Sequence, residues 1–121
     1  GWRIIEPISP YHGLRAMPGF YGGEPFFAAG PTSSIDLING QAIESAHLVA
    51  WARERFGGKV ALAGVSMTSF VAQQVASRCH LWPVQARPDA AMLISHSGRV
   101  ENVTFGGELA AMLGLDRALI D

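Results

Sequence analysis

Residues 59–75, KVALAGVSMTSFVAQQV, constrain the fold more than any other stretch of the chain. Residues 60–63 are continuously apolar, which is typical of a strand covered on both faces of a parallel sheet. Small residues follow, and apolar side chains then recur at helical spacing from Phe70 to Val75. The pattern predicts a strand, a tight turn and a helix, with Ser66 at the apex of the turn.

A serine at the apex of such a turn is placed for nucleophilic chemistry. The turn lifts its hydroxyl above the edge of the sheet, and the next backbone N–H groups point towards the atom that it attacks. Gly64 and Thr68 flank Ser66 at two residues on either side, so the motif reads G-x-S-x-T where G-x-S-x-G is usual. Because Thr68 is β-branched, either its side chain finds room or the turn relaxes. Two other interpretations stay open: a serine that caps the helix, and a helix N-terminus that binds an anion.

Size and charge limit the classes of protein to which the chain can belong. Its 121 residues are enough for one domain with a core but few for a complete α/β enzyme. Nine basic and ten acidic residues are scattered along it, without a basic stripe, so we expect no nucleic-acid partner. No run is long enough to predict a membrane span. The single cysteine, Cys79, excludes an internal disulfide and leaves the compartment open.

Strand and helix patterns alternate along the chain. We expect strands at 1–8, 59–65 and 90–95, helices at 33–56, 67–78 and 107–119, and a loop at 9–32. This order predicts an α/β fold, a parallel sheet with helices on both faces. Residues 33–36 resemble a capping box, and Thr68 or Ser69 is a candidate cap for the helix at 67–78.

Polar and aromatic side chains follow the predicted strands at their carboxyl ends, where parallel sheets of α/β proteins bind ligands. They are Tyr11, His12, Ser66, His96 and Ser97. We expect them to gather at one edge of the sheet. For His96, a place in the lining or at the edge of the core is the preferred interpretation, and a general base for Ser66 is the alternative. The only acid between the two residues, Asp89, precedes the strand that ends at His96.

A metal site is not predicted. Glu44 and His47 are three residues apart on the predicted helix, but one such pair without further ligands is typical of a solvated helix surface. We therefore expect no metal and no cofactor.

The strand, the turn G-V-S-M-T and the helix resemble the α/β-hydrolase superfamily of serine esterases and lipases. The stretches EPISPYHGLR (6–15), LVAW (48–51) and GVSMT (64–68) are similar to the alpha/beta hydrolase domain-containing protein 18 family, and the likeness covers most of the chain. Members typically show a Pro, aromatic, Tyr, Gly, x, Arg stretch, a Gly-x-Ser-Met-Gly turn and a Ser-rich turn after the next strand. Here His12 stands in place of the Tyr and Thr68 in place of the Gly.

The resemblance implies a serine hydrolase that cleaves a carboxylic ester through an acyl-enzyme on Ser66. It also implies that the Met67 backbone N–H stabilises the oxyanion. The second oxyanion donor, the acid and the histidine of the triad would then lie outside residues 1–121. For the aromatic residues at 9–32, packing under the long loop is the preferred interpretation, and the lining of a site for an apolar or acyl small-molecule ester is the alternative.

The superfamily's sheet order further implies a strand, absent from this chain, between those at 1–8 and 59–65. We therefore expect the chain to be part of a larger hydrolase, inactive alone, whose sheet is completed by the rest of the parent chain or by a neighbouring copy. The alternatives are an interaction or scaffold domain that keeps the fold without catalysis, and an anion site after Gly64.

Overall fold

The computed structural model describes residues 1–20, 22–28 and 30–99. The helices are α1 (Glu24–Ala28), α2 (Gly30–Phe56) and α3 (Met67–Arg78), and the strands are β1 (Ala61–Val65) and β2 (Ala90–Ile94). Single 3-10 turns lie at Gly13–Arg15, Cys79–Leu81 and Val84–Ala86. The helix predicted at 107–119 lies outside the described residues.

The two strands form one parallel sheet in which Ala61 is paired with Ala90 and Val65 with Ile94. Because parallel strands need a crossover, the chain connects the end of β1 to the start of β2 through α3. The predicted α/β class and parallel pairing are confirmed, and α3 has the predicted bounds.

The core lies between α3, α2 and one face of the sheet. Val71 and Val75 of α3 pack with Ala42 of α2, and Leu62 of β1 and Trp82 close the cluster. This apolar seam along α3 is the one predicted from the helical spacing of its valines. It fixes α3 against the sheet and thereby fixes the turn at its start.

The opposite face of the sheet is bare. Its side chains are all apolar and all exposed in the part of the chain that the structure describes: Ala61, Ala63, Val65, Ala90, Met92 and Ile94. Helices on both faces were predicted, but the described helices pack on one face only. The physical reason is that the described residues supply only two long helices, and both join the same core.

Residues 1–8, the N-terminal segment, form no strand, contrary to the prediction. Its apolar side chains are largely uncovered; Trp2, for example, is 94% exposed. A strand needs a neighbour that accepts and donates its backbone hydrogen bonds. The edge of β1 that faces away from β2 has no partner strand among the described residues, so the sheet has two strands where three were predicted.

The N-terminal segment nevertheless runs along α2. The Arg3 guanidinium lies over the Phe56 ring, 4.6 Å from its centroid. The Ile8 carbonyl accepts a hydrogen bond from Arg15, whose guanidinium also forms a two-pronged ion pair with Glu44. The segment therefore runs antiparallel to α2.

Other bounds differ by a few residues. Helix α2 begins at Gly30 and not at 33, because Pro31 is tolerated in the first turn of a helix. Ser34 then lies inside the helix, where its hydroxyl donates to the Phe26 carbonyl at 2.7 Å and does not cap the helix. The predicted loop at 9–32 contains α1, and both strands are shorter than predicted. None of the helices described here has the length and apolar character needed to cross a membrane.

Candidate active site

Ser66 is the single residue between β1 and α3. Its backbone has φ 52° and ψ −120°, a region that L-residues avoid and that costs of order 1–3 kcal/mol. The residue is exposed, and although it occupies the N-cap position of α3, its side chain makes no capping hydrogen bond. The hydroxyl thus stands at the apex of a strained turn without the structural role that serine usually has at a helix start.

Backbone hydrogen bonds hold this turn on both sides. The Ser66 N–H donates to the Ile94 carbonyl at the end of β2, at 2.9 Å. The Ser69 N–H donates to the Ser66 carbonyl at 3.0 Å. Because each bond connects the turn to a different element, the conformation at Ser66 is set by its surroundings.

Gly64 allows α3 to start directly against β1. A Cβ atom at this position would overlap the Thr68 carbonyl and would lie 2.8 Å from the Ser69 Cα. Real Cβ atoms do not come so close to backbone atoms. The glycine in the predicted motif is therefore required by the close approach of helix and strand.

Thr68 fits the turn, which answers the question that its β-branched side chain raised. Its hydroxyl accepts a hydrogen bond from the Val65 N–H and donates one to the Val65 carbonyl, each at 2.9 Å. The side chain joins the first turn of α3 to the end of β1, so it is not the helix cap that was predicted as one possibility. The departure from glycine is accommodated without disturbing Ser66.

The start of α3 also supplies hydrogen-bond donors beside the serine. Met67 is the first residue of this 12-residue helix, and the first four N–H groups of a helix have no acceptor within it. Their partial positive charge favours an anion at this point. Among these N–H groups, that of Ser69 is the one already bonded to the Ser66 carbonyl.

His96 lies beside the turn but is bonded to Ser69, not to Ser66. Its Nδ1 is 2.8 Å from the Ser69 hydroxyl oxygen, and its ring meets the edge of Phe70 with centroids 5.1 Å apart. This contact agrees with the preferred interpretation of His96 as a residue at the edge of the core. The hydroxyl of Ser97, the next residue, is engaged with Arg99 in a local turn.

Tyr11 and His12 lie against a different part of the molecule. Tyr11 lines an open cavity of about 540 Å³ on α2, together with Arg15, Gln41 and Glu44, and none of its lining residues belongs to the turn at Ser66. The His12 Nδ1 is 2.9 Å from the Pro10 carbonyl. The predicted gathering of five side chains is thus divided into two groups. The division follows from the N-terminal segment, which does not enter the sheet.

Asp89 is not placed to act on His96. It precedes β2, whereas His96 follows it, and the five residues of the strand alone span about 17 Å. Its carboxylate accepts hydrogen bonds from the Val60 N–H at 2.8 Å and from Arg53 at 3.1 Å. Both partners lower the pKa of Asp89, and the hydrogen bond from the Val60 N–H has the larger effect.

Ser69 is the residue whose role at this site the sequence did not reveal, since it was considered only as a helix cap. It is fully buried, and its hydroxyl contacts both the Ser66 carbonyl and His96. A signal existed, because a serine hydroxyl in a helix commonly reaches the carbonyl three or four residues before it. The contact with His96 depends on the strand pairing and has no local signature.

Comparisons with protein-family models, with curated proteins and with solved structures gave no match for this chain.

Proposed function

We propose that the chain belongs to a serine hydrolase that cleaves a carboxylic ester through an acyl-enzyme on Ser66. The observation that carries the proposal is the strained backbone of Ser66, at a strand-to-helix turn, with a hydroxyl that caps nothing. Strain of this kind persists where the surroundings hold it, and it clusters at active sites. A helix-capping serine would show the opposite: an ordinary extended backbone and a side-chain bond to the helix.

In the proposed reaction the Ser66 oxygen attacks the ester carbonyl, and the hydroxyl proton passes to a histidine. The negative charge that develops on the carbonyl oxygen is stabilised by the Met67 N–H at the start of α3. The alcohol leaves with a proton, and water then releases the acid from Ser66. By the resemblance, the histidine and acid of the triad and the second oxyanion donor come from outside residues 1–121.

The substrate that we propose is a small ester with an apolar or acyl portion. No charged side chain contacts Ser66 in the hydrogen bonds and ion pairs of the described residues, which suits a neutral substrate. The bare apolar face of the sheet supports the further proposal that the rest of a parent chain, or a neighbouring copy, completes the fold.

A non-catalytic scaffold domain is the second candidate. The observation that favours it is the hydrogen bond of His96 to Ser69, which leaves Ser66 without a histidine partner among the described residues. In that case the strained turn would persist as an inherited feature of the fold, and Ser66 would have no reactivity above that of an ordinary serine.

A fluorophosphonate probe separates these two candidates. We expect the full-length protein to be labelled and Ser66→Ala to abolish the labelling. Ser77→Ala is the matched control, because Ser77 is an exposed serine on the same helix, and we expect its labelling to equal that of the wild type. The 121-residue chain alone is expected to stay unlabelled.

Two outcomes contradict the esterase proposal. One is labelling that persists in Ser66→Ala. The other is a full-length protein that is folded by circular dichroism and silent to the probe, which identifies the scaffold. Turnover by the 121-residue chain alone would contradict only the proposal that the triad is completed from outside it.

A further inference from the structure

One buried hydroxyl connects the turn at Ser66 to His96. Ser69 has 0% of its surface exposed, and its Oγ makes hydrogen bonds with the Ser66 carbonyl oxygen and with the His96 Nδ1. The Ser66 N–H is bonded to Ile94, two residues before His96, so the two strand ends are held together a second time. His96 is thus tied to the turn through its Nδ1 and through the end of β2.

Counting protons at Ser69 determines the form of the histidine. A hydroxyl has one hydrogen to donate, and a carbonyl oxygen only accepts. The contact between Ser69 and the Ser66 carbonyl therefore uses the Ser69 hydrogen. The second contact must then be donated by His96, which requires the proton of the neutral ring to be on Nδ1.

The same contacts set the direction of the ring. The Nδ1 edge points at buried Ser69, and the ring packs against Phe70 at an interplanar angle of 61°. Nε2 lies on the other side of the imidazole and is directed away from the buried hydroxyl. In the Nδ1–H form, this nitrogen carries a lone pair and accepts hydrogen bonds.

We propose that Ser69 is a positioning residue that holds His96 as the Nδ1–H tautomer, so that Nε2 accepts a hydrogen bond from an O–H group bound beside Ser66. The group is a water molecule or a hydroxyl of the substrate, and the shared chemistry is an O–H donor. This inference rests on the proposed esterase function only for the identity of the bound group. The tautomer itself follows from the structure whatever the reaction is.

The tautomer is measured first, by the ¹⁵N chemical shifts of the His96 side chain in the protein at a pH where the ring is neutral. We expect Nδ1 to be protonated and Nε2 to be bare in the wild type. In Ser69→Ala the preference disappears, and the shifts of both nitrogens move towards those of a free histidine. Ser77→Ala is the matched control, because its hydroxyl makes the same kind of bond to the Gln74 carbonyl on α3 without a histidine contact.

The function of the tautomer is measured in the full-length protein. The variant His96→Asn keeps a donor for Ser69 and loses the Nε2 acceptor. We expect its kcat to fall about tenfold, which is the effect of losing one hydrogen bond, and its thermal stability to be unchanged. An Nε2–H tautomer in the wild type overturns the proposal even if Ser69→Ala fails to fold. If the Nδ1–H tautomer depends on Ser69 but kcat is unaltered in His96→Asn, the proposal that Nε2 accepts a hydrogen bond from a bound O–H group is overturned. Lack of turnover by the wild type would refute the esterase function and leave the tautomer standing.

Discussion

At the scale of the single residue, Ser66 combines strain with exposure. Its φ of 52° and ψ of −120° lie where only glycine is at ease, and the hydrogen bond to Ile94 holds it there. A serine that served only the fold would be replaced by glycine at a gain in stability. The residue type and the backbone conformation are therefore in conflict at this position, as expected when a side chain is kept for chemistry.

Replacing Ser66 by glycine tests this conflict. We expect Ser66→Gly to be more stable than Ser66→Ala by about 1 kcal/mol. Glycine relieves the backbone strain of the folded state, but it also has more conformational freedom in the unfolded chain, which cancels part of this gain. Urea unfolding of the two variants measures the difference. Equal stabilities, or a more stable alanine variant, would show that the backbone at position 66 is unstrained.

Gly64 is the second residue whose identity the geometry dictates. We expect Gly64→Ala to destabilise the protein by about 3 kcal/mol, since its Cβ overlaps backbone atoms of α3 that have little room to move. Gly40→Ala, on α2 where nothing lies within 4 Å of the added Cβ, is the control and should be stabilising by roughly 0.5–1 kcal/mol. Thermal melting of both variants decides the matter; a Gly64→Ala protein as stable as the wild type would disprove the close approach.

At the scale of the element, β1 and α3 were predictable because their signals are local. The apolar run at 60–63 and the helical spacing of Phe70, Val71 and Val75 lie within a few residues of each other. The turn between them was predictable from its small residues. The bonds of Thr68 to Val65 span three residues and were not predicted, because they depend on the side-chain rotamer at the start of the helix.

The amino ends of the two strands are joined through Asp89. Because the Val60 N–H and Arg53 stabilise the charged carboxylate, the pKa of Asp89 is lower in the folded than in the unfolded protein. Its contribution to stability is therefore present above the ordinary pKa near 4 and is lost as the pH falls through the lower, folded-state value.

Substitution of Asp89 makes this pH dependence measurable. We expect Asp89→Asn to melt below the wild type at pH 6, with the difference shrinking as the pH falls below about 4. Ser77→Ala, which removes no titratable group, should differ from the wild type by the same amount at every pH. A gap between wild type and Asp89→Asn that widens in acid would show that the carboxylate is destabilising.

At the scale of the whole molecule, the sequence predicted the α/β class but not the arrangement around the sheet. A strand at 1–8 was predicted from its β-forming residues, but whether a strand forms is decided by a partner distant in sequence. The candidate site divides in the same way between local and distant signals. Ser66 could be proposed from the residues of its own turn. The contact between Ser69 and His96, which are 27 residues apart, depends on the pairing of β1 and β2.

The bare apolar face of the sheet makes a prediction at this scale. In the 121-residue chain alone, we expect Met92→Lys to lower the binding of the dye ANS without loss of thermal stability, because the Met92 side chain is 61% exposed and lies outside the core. Leu62→Lys, on the opposite face, is the contrast: it places a charge in the core and should unfold the protein. Unchanged ANS fluorescence in Met92→Lys would show that this face is covered in solution.

The central claim, that Ser66 is a nucleophile, is tested most directly by locating a covalent adduct. The full-length protein is treated with a fluorophosphonate, digested and mapped by mass spectrometry. The account predicts one modified peptide, with the phosphonyl group on the Ser66 oxygen and none on Ser69 or Ser97. An adduct on another serine, or none on a protein that folds, would contradict it.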